Sequence, residues 1–162
     1  MVSNLKHKQI SHFEIDYKKE VTDELDNGRE INALFLIHGY IEAYLLEWLY
    51  ICTGKEKIAI TKEILKQIDR IPFANILTIH LMLSNIDYVL FKKIQTLNGV
   101  RNDIAHELIT IDSKDPKNKK KVSAVVKNAI TICDEVFRLY KESLDRLQKK
   151  VLALEKYKDG FE

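Results

Sequence analysis

Along this chain the apolar residues recur at every third or fourth position and almost nowhere at every second. That period belongs to α-helices with a buried face. Residues 4–26 are polar and weakly amphipathic, and Asn27-Gly28 supplies a helix stop. The next segment, INALFLIHGYIEAYLLEWLYIC (31–52), is apolar around most of its circumference and ends at Thr53-Gly54. It is too long for a strand and carries His38, Glu42 and Glu47, so it is expected as a central buried helix, not a membrane span. A shorter helix is expected over about 60–69, with Thr61 as cap and Ile64, Leu65 and Ile68 on one face. Pro72 opens another, FANILTIHLMLS (73–84). Asn85 to Asp87 reads as a turn with Asp87 as N-cap. Leu90, Phe91, Ile94, Leu97 and Ile104 then trace a helical stripe that Asn98-Gly99 weakens. DSKDPKNKKK (112–121) has no apolar residue and reads as a loop. From 122 to 157 no breaker interrupts a stripe running through Val125, Ala129, Ile132, Val136, Tyr140, Leu144, Leu147, Val151 and Leu154. This last helix outruns a typical domain, so its distal half either projects or pairs with another chain. The pattern predicts one all-α domain, a single bundle of about five or six helices with a long C-terminal helix.

Composition narrows the function more than the fold. The 162 residues suit one domain with a real core, and five glycines with two prolines disfavour a turn-rich β fold. A net charge of +2 gives no general polyanion-binding field, so any nucleic-acid contact must come from local basic clusters. Cys52 and Cys133 form no CxxC pair and read as buried thiols. The opening MVSNLKHKQISHF has no apolar leader. Together with the thiols this predicts a cytoplasmic protein with no membrane partner. No HExxH and no carboxylate cluster at ligand spacing is present, so neither a metal nor another cofactor is expected.

One stretch carries candidate chemistry: VRNDIAHEL, residues 100–108. The Arg101 guanidinium is permanently charged and matches phosphate geometry. The His106 imidazole can give or take a proton near neutral pH. Such a pair suits RNA cleavage, in which a ribose 2′-hydroxyl attacks the adjacent phosphate. Arginine would stabilise the phosphoryl oxygens, histidine would move the proton, and a 2′,3′-cyclic phosphate would remain. Five residues along a regular helix, however, turn the chain so that the two side chains stand about 140° apart. Convergence therefore requires a backbone break between them, which Gly99 could relax, or a second copy of the motif across a two-fold axis.

VRNDIAHEL resembles the signature of the HEPN superfamily, in which an arginine is followed four to six residues later by a histidine. A polar residue commonly follows the arginine, and an apolar-alanine pair precedes the histidine. Here these are Arg101, Asn102, Ile104-Ala105 and His106. The lead-in LFKKIQTLNGVRN and the helix GYIEAYLLEWL are similar to those of small stand-alone members, so the likeness spans about 30–110. It implies an all-helical homodimer with the motifs facing each other. Many members are metal-independent endoribonucleases of toxin–antitoxin and other defence systems, partnered by an antitoxin or a regulatory protein. Others are non-catalytic RNA- or nucleotide-binding modules, and one branch resembles the mannitol operon repressor. On that likeness Arg101 is the phosphate-stabilising cation, His106 the general acid or base, and Asn102 a positioning residue. Asp103 departs from the basic residue often found at its place.

Other residues have two readings each. Glu42 falls inside the apolar arc of the central helix, between His38 and Leu46, while Glu47 falls roughly opposite. Glu42 is either a third member of the site, contacting Arg101 or His106, or an i,i+4 partner of His38. His38 and His80 read as hydrogen-bonded core or interface histidines. Lys117, Lys119, Lys120 and Lys121, with Lys92 and Lys93 upstream, are either an RNA-binding basic rim or a solvated charge run. Trp48, Tyr40, Tyr44 and Tyr50 read as packing residues before base-stacking ones. Two further outcomes stay open: a binding module that keeps Arg101 and His106 for a phosphate or partner, and a structural dimer with Arg101 tied to a carboxylate of its own fold.

Overall fold

In a computed structural model of the chain, residues 16–55, 67–68, 70–107 and 116–158 are described. Five helices stand among them and no strand: α1 (Tyr17–Asp26), α2 (Glu30–Lys55), α3 (Phe73–Met82), α4 (Tyr88–Glu107) and α5 (Pro116–Lys158). The all-α bundle and its long final helix are as the periodicity predicted. The short helix expected over 60–69 lies almost wholly outside the described residues, as does the segment 4–15.

The helix ends follow local chemistry. Asp16 caps α1 by accepting from the Lys19 N–H at 3.1 Å. Gly28, at φ +70, ends α1 in the left-handed conformation, and Arg29 then grips Glu24 through two hydrogen bonds of 2.7 and 2.8 Å. Asp87 caps α4 by accepting from the Leu90 N–H at 2.7 Å. One boundary differs from expectation. The helix α5 begins at Pro116, so Lys117 to Lys121 occupy its first turns and not a loop. Proline lacks a donor that the first helical position does not need, and lysine is a good helix former; the absence of apolar residues marked a solvent-facing turn, not a break.

The helix α2 is the axis. Ala33, Leu34, Ile37, Ile41, Tyr44, Leu45, Trp48 and Leu49 are all buried, and every other helix packs on it, α5 most extensively. Lys119 lies by Gly28 and Glu30 while Tyr140 bonds Glu47, so α5 runs parallel to α2. Asn98 meets His38 near the opposite end of α4, so α4 runs antiparallel. By length and composition the segment Glu30–Cys52 is apolar enough to cross a membrane, but its apolar residues fill the centre of the bundle. Glu47 does not face outward as its position suggested, for α5 covers it and the Tyr140 hydroxyl donates to it at 3.0 Å. Aromatic rings fill the α1–α2–α5 junction, with Tyr44 centred 5.0 Å from Phe137 and 5.9 Å from Tyr140. The expected packing role of Tyr44 and Trp48 is therefore what the fold uses them for.

Replacing Ile41 by alanine leaves a cavity at the centre of this packing and is expected to cost about 2–5 kcal/mol. Asp87→Ala removes only a cap and is expected to cost about 0.5–2 kcal/mol. Urea unfolding midpoints compare the two.

Candidate functional site

The helix α4 runs unbroken through Gly99, where an added Cβ would meet nothing within 4 Å. The break that could have turned Arg101 and His106 onto one face is absent. At 100° per residue, Arg101 shares the inward side of α4 with Leu90, Ile94 and Leu97, whereas His106 shares the outer side with Tyr88 and Lys92. Burial agrees, since Arg101 is half-buried and His106 exposed. One chain does not bring the two together.

Arg101 sits in a small polar inclusion between α2 and α4. Its guanidinium lies over the Phe35 ring, 5.0 Å from the centroid, a cation–π contact. One terminal nitrogen donates to the Asn102 side-chain oxygen at 2.9 Å. Its Nε is buried and has no hydrogen-bond partner. Among the described residues no carboxylate pairs with it. A buried donor left unmade costs about 1–3 kcal/mol, and among the described residues no acceptor meets this one. Asn98, one turn earlier, accepts at 3.0 Å from His38 Nε2 on α2. The His38 ring in turn lies 4.7 Å from the Phe73 ring, the two planes tilted by 54°. Phe35 and Asn98 are the residues that sequence reasoning missed. Their signal was spacing: Asn98 precedes Arg101 by three, and Phe35 precedes His38 by three.

Glu42 is not part of this constellation. Its carboxylate stands 3.9 Å from His38 Nδ1, the i,i+4 pair, and the structure brings it to neither Arg101 nor His106. Burial lowers the pKa of His38 below 6.5, against the opposing pull of the Asn98 bond and the Glu42 charge; the Arg101 charge adds to the lowering. Burial also lowers that of His80, whose two nitrogens meet the Leu45 carbonyl at 2.7 Å and the Asn85 amide at 2.9 Å. Both are hydrogen-bonded core histidines, as expected. Cys133 is buried and its thiol pushed up to about 12, and Cys52 is half-buried; both are free.

The lysines divide. Lys119 is taken up structurally, 3.4 Å from the Gly28 carbonyl and 4.0 Å from Glu30. Lys120 and Lys121 are exposed beside it on α5, and the Lys117 side chain lies outside the described residues. Lys93 pairs with Glu135 at 3.7 Å. Lys92 reaches Gln95 at 2.9 Å and lies 5.5 Å from the Tyr88 ring centre. The start of α2, the end of α4 and the start of α5 thus share one end of the bundle, which gathers Arg101, His106 and Lys119 to Lys121. A groove of about 520 Å³ between α4 and α5 runs from Tyr88 and Lys92 to Val100, next to that end. Among the described residues no group of three His, Cys, Asp or Glu could hold a metal ion.

The depressed histidines set a pH dependence. The unfolded chain takes up these protons first, so stability is full above about pH 6.5 and falls as pH drops toward the folded values. Urea midpoints measured at about pH 7.5 and pH 5.5 are expected to differ less in His80→Gln than in the parent.

The chain matches no family model, no curated protein and no solved structure.

Proposed function

We propose that this protein binds RNA through Arg101 at the basic end of the bundle, and that it cleaves the RNA as a homodimer. The observation that carries the reading is the half-buried Arg101 guanidinium, stacked on Phe35 with its Nε unpaired and no carboxylate beside it. A phosphate group satisfies both its charge and its open donors. Asn102 fixes the orientation of the fork. Lys120 and Lys121 add positive potential on the same end, and the exposed Tyr88 with Lys92 offers a ring and a cation along the groove that leads to it.

Cleavage requires His106, which stands on the other side of α4. A second copy of the chain supplies it, as in the HEPN arrangement that VRNDIAHEL resembles. The ribose 2′-hydroxyl gives its proton to a base and attacks phosphorus; the bond to the 5′-oxygen breaks, and that oxygen receives a proton. Arg101 stabilises the charge on the equatorial oxygens. No step requires a metal. Such an enzyme fits a toxin or defence setting with an antitoxin or regulatory partner. A non-catalytic phosphate-binding module is the second reading, and the separation of Arg101 from His106 within one chain favours it.

RNA cleavage in EDTA separates the two. The parent is expected to cut, with Arg101→Ala and His106→Ala each losing about 10²-fold or more. Mixing the two variants is expected to restore about one quarter of the parent rate, because half the dimers then carry one intact composite site. Binding without cleavage, lost only in Arg101→Ala, supports the second reading. Loss of neither binding nor cleavage in the variants sinks both.

A further inference from the structure

At the other end of the bundle a cavity of about 430 Å³ opens between the α3–α4 turn and the distal part of α5. Trp48 and Leu83 give it an apolar wall, and Ser143 adds a hydroxyl. Arg146, Lys149 and Lys150 complete the lining. Phe35, against which Arg101 stacks, and Trp48 lie thirteen positions apart on α2, about 20 Å along its axis. The cavity is therefore separate from the Arg101 site.

Two independent observations point to its ligand. Trp48 is 1% exposed, and its Nε1 is buried without a hydrogen-bond partner. Indole nitrogen can only donate, and buried indoles normally find an acceptor. Of the Asn85 side chain, which also lines the cavity, the NH2 group is committed to His80 and to Cys52. The second observation is charge. Beyond the buried Val136 and Tyr140, the side of α5 that meets the cavity carries Ser143, Arg146, Lys149 and Lys150. Three of these four residues are cations, exposed at the cavity's rim. Arg146 Nε bonds the Glu142 carbonyl of its own helix, and no described carboxylate pairs with any of the three cations. A donor-only indole and three cations around a cavity with an apolar wall select an anion with several acceptor oxygens and an organic part.

We infer that this cavity binds the phosphate or pyrophosphate group of a small phosphorylated molecule, with Arg146, Lys149 and Lys150 neutralising it. The organic part of the ligand lies against Trp48 and Leu83. The ring of Trp48 also packs 5.0 Å from His80, so the occupied cavity is continuous with the hydrogen-bonded core of the bundle.

The chain has a single tryptophan, which gives a direct probe. Pyrophosphate is titrated into the ¹⁵N-labelled full chain against sodium chloride of equal ionic strength, and the indole N–H resonance is followed. A saturable shift is expected with pyrophosphate and not with chloride. The Arg146→Gln/Lys150→Gln double variant, altered only at exposed positions, is expected to bind about tenfold more weakly or worse. Arg101→Ala is expected to leave this shift intact, which separates the cavity from RNA binding at the other end. An indole signal that moves no more with pyrophosphate than with chloride overturns the assignment, as does an unchanged affinity in the double variant. A shift produced by an RNA oligonucleotide and not by pyrophosphate also overturns it.

Discussion

Everything in this bundle depends on covering α2. Its apolar residues wrap most of its circumference, so no single partner can bury it. At roughly 25 cal/mol per Å² of apolar surface removed from water, leaving any side open would forfeit several kcal/mol. The chain answers by laying α5 parallel along one side, α4 antiparallel along another, and α1 and α3 over what remains. The length of α5 follows from the same demand only in part. Forty-three residues make a rod of about 64 Å, against about 39 Å for the twenty-six residues of α2. The distal part of α5 also brings Arg146, Lys149 and Lys150 to the cavity beside Trp48 and the α3–α4 turn.

A helix covered on most sides brings its polar groups against its neighbours. Three of them are answered by a specific residue on a covering helix. His38 is answered by Asn98, Glu47 by Tyr140, and the Leu45 carbonyl by His80. These pairs fix which helix covers which side and in what register, something apolar packing alone specifies loosely. Burial lowers the pKa of both histidines more than these partners raise it.

Against that background the groups left unanswered stand out. Arg101 Nε and Trp48 Nε1 are buried side-chain donors without partners, and they lie toward opposite ends of the same helix axis. Cations gather near both: Lys119 to Lys121 at one end, Arg146, Lys149 and Lys150 at the other. Among the described residues, the polar pairs of the middle of the bundle are satisfied internally, while these two donors toward its ends are not. A helical bundle that meets its ligands end-on leaves its side-to-side packing undisturbed on binding.

Periodicity by itself determined the helix pattern, the central place of 31–52 and the cap at Asp87, because these depend on neighbours within one turn. It also marked Arg101 and His106 as unlike their surroundings and gave the 140° that divides them, since helix geometry is local. What it misjudged were matters of covering. Lysines at 117–121 looked like a loop because solvent-facing helix and loop share a composition. Glu47 was placed only as roughly opposite the apolar arc, because one helix cannot reveal how many others surround it. Glu42 stayed open between two partners until the positions of α4 and α5 were known. Only the tertiary structure decided that Phe35 underlies Arg101, that Asn98 holds His38, and that Trp48 faces the cationic tail of α5. Each is a contact between distant segments, set by the register of α4 and α5 against α2, and no spacing along the chain encodes that register.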